Sequence, residues 1–147
     1  MFTMPPSMRR RPRRIPRPLI LIADDSGDTR EMYALYLRTA GYNVETAEDG
    51  HAAVLKARAT RPDLIVMDLQ MPKLDGWGAM KELENDPRTR GIPVIAMTGH
   101  DLKGYLKTAA LAGGAFLYLT KPTLPERLAR EIGQRLATRR PRAASAP

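Results

Sequence analysis

Five residues of reactive type stand at the ends of apolar runs. Asp24 and Asp25 follow LILIA, Asp68 follows LIVM, Thr98 follows VIAM, and Lys121 lies two residues beyond AFLYL. Neighbouring carboxylates repel one another, so three gathered in one place need a cation or a retained proton. The chain has no cysteine, and no histidine adjoins these aspartates. Hard oxygen donors alone suit Mg²⁺, which prefers octahedral geometry and keeps several waters. A carboxylate beside such a cation and an ammonium is a nucleophile toward a phosphoryl group, because metal and lysine offset the charge on the transferring oxygens. Taken singly, the same residues are ordinary: an Asp-Asp pair caps a helix or lines a turn, and Thr-Gly is turn chemistry. Their joint placement carries the reading.

To meet, these side chains need elements that end on a common edge. Leu19–Ala23, Leu64–Met67, Val94–Met97 and Ala115–Leu119 are almost wholly apolar. Runs of that kind suit strands of a parallel sheet covered on both faces. Tyr42–Ala47 alternates and is expected on an edge. Between them, Met32, Leu35, Tyr36 and Thr39 recur at helical spacing, with Asp28 and Glu31 as a capping box and Gly41 as the stop. Ala53, Val54 and Ala57 mark a second helix, and Trp77, Met80 and Leu83 a third. Leu102, Tyr105, Leu106, Ala109 and Ala110 mark a fourth, with Gly104 inside it. Leu128, Ile132 and Leu136 mark a fifth, opened by Thr123 and Glu126. Strands alternating with helices build one doubly wound α/β sheet, whose ligands bind at the carboxyl ends of the strands.

The net charge of +8 is uneven. Residues 1–17 hold six arginines and no acid, and residues 138–147 hold three more, again with no acid. The rest carries 15 basic against 16 acidic residues. We therefore expect a body over residues 18–137 flanked by two basic, proline-rich, disordered arms. Such arms offer weak contact with nucleic acid or another acidic surface. No run near the N-terminus approaches the ~20 apolar residues of a membrane helix or the h-region of a secretory signal. The expectation is a soluble, cytoplasmic protein with no membrane partner.

The segments ADDSGDTREMYALYLRTAGYNVETAEDG, PDLIVMDLQMPKLDGW, IPVIAMTGH and FLYLTKP closely resemble the receiver domain of two-component response regulators, from about Leu19 to Leu136. The resemblance implies a flavodoxin-like fold with strand order 2-1-3-4-5. It implies that Asp68 is the phosphoacceptor and that Asp25 and Asp68 ligate Mg²⁺ directly. Asp24 would act mainly through water, and the backbone carbonyl of Gln70 would add a ligand. Lys121 would pair with Asp68 and then with the phosphoryl oxygens. Thr98 would be the switch hydroxyl and Tyr118 the switch aromatic, swinging into space that Thr98 vacates. Pro122 would follow a cis bond that aims Lys121 inward. Gln70 and His100 would flank the phosphoryl group and influence its lifetime.

By the same resemblance, the partners are a histidine kinase or histidine phosphotransfer protein and a downstream protein. The latter would meet the face made by the fourth helix, fifth strand and fifth helix. The chain is read as a stand-alone receiver, not an enzyme beyond its own Mg²⁺-dependent phosphoryl transfer and dephosphorylation. Two other readings stand beside it. An aspartyl-phosphate phosphohydrolase of the haloacid-dehalogenase type would want a second aspartate where Gln70 stands. A nucleic-acid-binding module would act through the arginine-rich arms.

Overall fold

The computed structural model describes residues 16–99, 101 and 104–139. Both proposed arms lie largely outside these residues, and His100 and Leu102 lie outside them too. The elements alternate: β1 (Leu19–Ala23), α1 (Gly27–Thr39), β2 (Asn43–Ala47), α2 (Gly50–Thr60), β3 (Leu64–Asp68), α3 (Gly76–Asn85), β4 (Val94–Thr98), α4 (Tyr105–Ala112), β5 (Leu117–Thr120) and α5 (Pro125–Thr138). The strands form one parallel sheet in the order β2-β1-β3-β4-β5. This is the doubly wound, flavodoxin-like arrangement expected from the sequence. No described helix is long and apolar enough to cross a membrane.

The apolar runs become central strands because both sheet faces are covered. Strand residues alternate between two cores, as a period of two requires. Ile20, Ile22, Val66, Ile95 and Met97 pack under α1 and α5, with Tyr33, Leu37, Leu128 and Ile132. Leu21, Ile65, Met67 and Ala96 pack under α2, α3 and α4, with Val54, Met80, Leu83 and Ala110. Each fully buried aliphatic side chain contributes roughly 1.5–3 kcal/mol.

Several local expectations are corrected. The buried stripe of α1 is Tyr33, Ala34 and Leu37, whereas Met32 and Leu35 are 46% and 68% exposed. Both stripes have helical spacing, and the position of the helix over the sheet decides between them. Ser26, not Asp28, caps α1 by accepting the Thr29 N–H. Among the described residues no side chain caps α5; it opens with Pro125, whose missing N–H costs nothing there, and the Thr123 hydroxyl donates instead to the Thr120 carbonyl. Gly104 is not inside α4: it precedes the helix at φ 73°. Asp68 and Thr98 are the last residues of their strands instead of the first residues beyond them.

Candidate functional site

Asp24, Asp68, Thr98 and Lys121 lie at the carboxyl edge of the sheet because β1, β3, β4 and β5 run parallel and in register. Ala23 pairs with Met67, Asp68 with Met97 and Thr98 with Thr120. Backbone bonds knit the rim: the Leu69 N–H donates to Met97 O, and the Lys121 N–H to Thr98 O. Oxygens of Asp24, Asp25 and Asp68 lie within 4.8 Å of one another. Asp24 and Asp68 are buried, and Asp25 is exposed.

The ammonium of Lys121 joins the two buried acids, 2.6 Å from Asp24 Oδ2 and 3.2 Å from Asp68 Oδ2. The Lys121–Pro122 bond is cis, as expected. The other oxygens are also engaged: Asp24 Oδ1 accepts the Ser26 N–H at 2.9 Å, and Asp68 Oδ1 accepts the Gln70 N–H at 3.0 Å. Asp25 makes no hydrogen bond or ion pair among the described residues.

Burial dominates the chemistry of Asp68. It pushes the carboxyl up to about 6, against the lowering pull of the Gln70 N–H and of Lys121. Burial also opposes the charge on Lys121, but Asp24 and Asp68 outweigh it and raise the ammonium above its usual range. Three clustered carboxylates face one ammonium, so the site is short of positive charge even with its lysine in place. That deficit, together with all-oxygen donors, fits a hard divalent cation.

Thr98 is 0% exposed, and its hydroxyl has no hydrogen-bond partner among the described residues. A buried hydroxyl without a partner is uncommon and leaves a donor ready on the acceptor's rim. Tyr118 is buried here, only 8% exposed. Burial first, then the nearby Asp101 carboxylate, pushes its hydroxyl up to about 12. The Tyr118 hydroxyl makes no hydrogen bond within normal reach among the described residues. Gln70 is exposed beside the acceptor. Trp77 packs against the core, as helix packing predicts.

Sequence reading missed Asp101. Its carboxylate accepts the N–H groups of Leu106 and Lys107 at 3.2 and 3.1 Å, capping α4 from outside where Gly104 has no side chain to offer. An aspartate three residues past Thr98 and just ahead of a helical pattern was the available signal. Also unforeseen is the seating of the acceptor loop. A Cβ on Gly76 would stand 2.2 Å from Asp68 O, and one on Gly50 would stand 2.0 Å from Leu74 O. Both contacts are with backbone, so β3, its loop and α2 approach closely only because these positions are bare.

Residues 20–133 match the response regulator receiver domain family. Protein PilH of Pseudomonas aeruginosa is 42% identical over 120 residues, covering 80% of this chain and 97% of that protein. The transcriptional regulator RpaA of Synechocystis is 40% identical over 116 residues, 77% of this chain but 47% of that protein. The chain thus spans half or less of several curated relatives and nearly all of PilH. Chemotaxis protein CheY4 of Vibrio cholerae superposes with a TM-score of 0.75 at 33% identity, covering 80% of this chain and 98% of that one. The receiver domain of sensor histidine kinase PA1611 from Pseudomonas aeruginosa, solved with magnesium coordinated in its active-site cleft, gives 0.76 at 32% identity, covering 83% and 99%. Sequence match, strand order and acidic rim agree, and the chain belongs to the response regulator receiver domains.

Proposed function

We propose that Asp68 accepts a phosphoryl group from a histidine kinase or histidine phosphotransfer protein, and that the chain signals through changed protein contacts. The observation that carries this is the Lys121 ammonium shared between Asp24 and Asp68, with Asp25 beside them. In the transfer, an Asp68 oxygen forms the new O–P bond as the donor's N–P bond breaks, and the donor imidazole keeps the nitrogen electron pair. Lys121 moves its charge from the carboxylate to the phosphoryl oxygens. The Thr98 hydroxyl, lacking a partner, donates to one of them.

Asp25 and Asp68 would hold Mg²⁺ directly, with the Gln70 carbonyl. Asp24 would reach it through water. Bound there, the cation supplies positive charge that stabilises the transferring oxygens. Gln70 and His100, two residues beyond Asp68 and Thr98 in the sequence, would set how long the phosphoryl group lasts.

The output face is α4, β5 and α5. Of the eight residues of α4, Ala110 alone is buried, and Tyr105 and Leu111 are exposed. A helix held by so little can shift when phosphorylation adds roughly −1.5 to −2 charge. Asp101 and Tyr118 lie between the Thr98 loop and this helix, so they couple rim to face. The test is intact mass after incubation with Mg²⁺ and a small acyl phosphate. One phosphoryl group is expected on the unaltered chain and none on Asp68→Ala; an unmodified natural chain would refute the reading.

A further inference from the structure

The pole opposite Asp68, formed by the loops at the amino ends of the strands, has the opposite sign of charge. It holds Arg17, Arg61, Arg88, Arg90 and Arg139 against Asp63 and Asp86. A cleft of about 450 Å³ opens there, lined by Arg61, Asp63, Arg88 and Arg139 together with prolines and Ile92. The two acids are already engaged in placing guanidinium groups. Asp63 accepts from Arg139 at 2.6 Å and from the Leu19 N–H at 2.7 Å. Asp86 accepts from Arg58 at 2.9 Å and from Arg88 at 2.8 Å. A guanidinium carries five donors in a planar fork that matches phosphate, so these pairs leave donors for a second acceptor.

The sequence beyond the described residues continues the charge. Five arginines precede residue 15 and two follow residue 139. The chain enters and leaves the body at this pole, since Leu19 and Arg139 both bond to Asp63.

We infer that this pole binds the phosphate backbone of duplex nucleic acid without reading its sequence. The cleft is concave and suits a ridge of phosphates. None of the exposed large apolar side chains, Met32, Leu35, Leu55, Tyr105, Leu111 and Leu124, lines it, so it offers no wedge for a bilayer. Among the described residues no aromatic ring lines it on which the bases of a single strand could stack. Because the pole lies across the sheet from Asp68, binding proceeds with or without the phosphoryl group.

The test uses the full chain, fluorescein-labelled duplexes of two unrelated sequences and fluorescence anisotropy across a KCl series. Expected is an affinity that falls linearly on a log–log plot against salt, with a slope of about −0.9 per phosphate neutralised. Both duplexes should bind alike. The double variant Arg61→Gln/Arg88→Gln should reduce the magnitude of the slope by about 1 to 2. Its acyl-phosphate labelling at Asp68 should be unchanged, which also reports a folded chain. The inference is overturned by no salt-dependent duplex binding, by a slope that ignores the double variant, or by binding confined to phosphatidylserine vesicles. Failure here leaves phosphorylation untouched, so the two readings fall separately.

Discussion

Asp24 and Asp68 are bridged by one ammonium: Lys121 Nζ lies 2.6 Å from the first and 3.2 Å from the second. The lysine therefore also keeps two buried carboxylates from facing each other unscreened. Lys121→Met should cost roughly 1–3 kcal/mol, since removing one partner leaves the other charges uncompensated. Adding Asp24→Asn should recover part of that loss. A double-mutant cycle by urea unfolding at neutral pH measures the coupling; simple additivity would show that the bridge carries no energy.

Stability should depend on pH through Asp68. Its carboxyl is pushed up by burial from 3.8 to about 6, so the metal-free folded state holds the proton more tightly than the unfolded chain. The contribution is whole below pH 3.8 and is lost as pH rises through about 6. Asp49, Asp86 and Asp101 are shifted downward, so they titrate below this window. Urea midpoints with a chelator present should fall between pH 4 and 7, by on the order of 2 kcal/mol of stability. In Asp68→Asn this slope should vanish.

Asp25 separates metal binding from folding. It is exposed and makes no hydrogen bond or ion pair among the described residues. Asp25→Asn should leave metal-free stability within about 0.5 kcal/mol. It should weaken Mg²⁺ binding roughly tenfold or more, following the loss of a charged ligand. Calorimetric titration with Mg²⁺ decides this, and an unaltered affinity would remove Asp25 from the ligand set.

The seat of the acceptor loop makes a sharper contrast between glycines. Gly76→Ala drives a Cβ into the Asp68 carbonyl and should cost about 2 kcal/mol or more through overpacking. It should also slow phosphorylation. Gly78→Ala meets only the far end of Leu74, at 2.5 Å, which can rotate away. There the gain in helix propensity of up to about 1 kcal/mol should leave stability near or above the starting value. Thermal melts paired with acyl-phosphate labelling rates test both.

Much of this was legible in the residues. Four apolar runs could be little else than covered strands, and the reactive residues at their ends converged as expected. The buried face of α1 was not legible, because the Met32–Leu35–Tyr36 and Tyr33–Ala34–Leu37 stripes differ by one position and both have helical spacing. Helix starts misled for a related reason: several acidic or hydroxyl residues stood near each one, and only the path of the loop selects the cap. The bare backbone contacts of Gly50 with Leu74 and of Gly76 with Asp68 depend on how separate loops come together. Only the Asp101 cap, five and six residues from the N–H groups it accepts, had a local signal to read.

The Asp63 carboxylate clasps the start of β1 and the residue after α5 at once. Polypeptide grafted at either point therefore emerges beside the other, on the side away from the acceptor rim. Joining these ends with a short loop and opening the chain elsewhere should yield a circular permutant with the rim intact. Equally, a fused cargo at either end leaves the approach of a phosphodonor unobstructed.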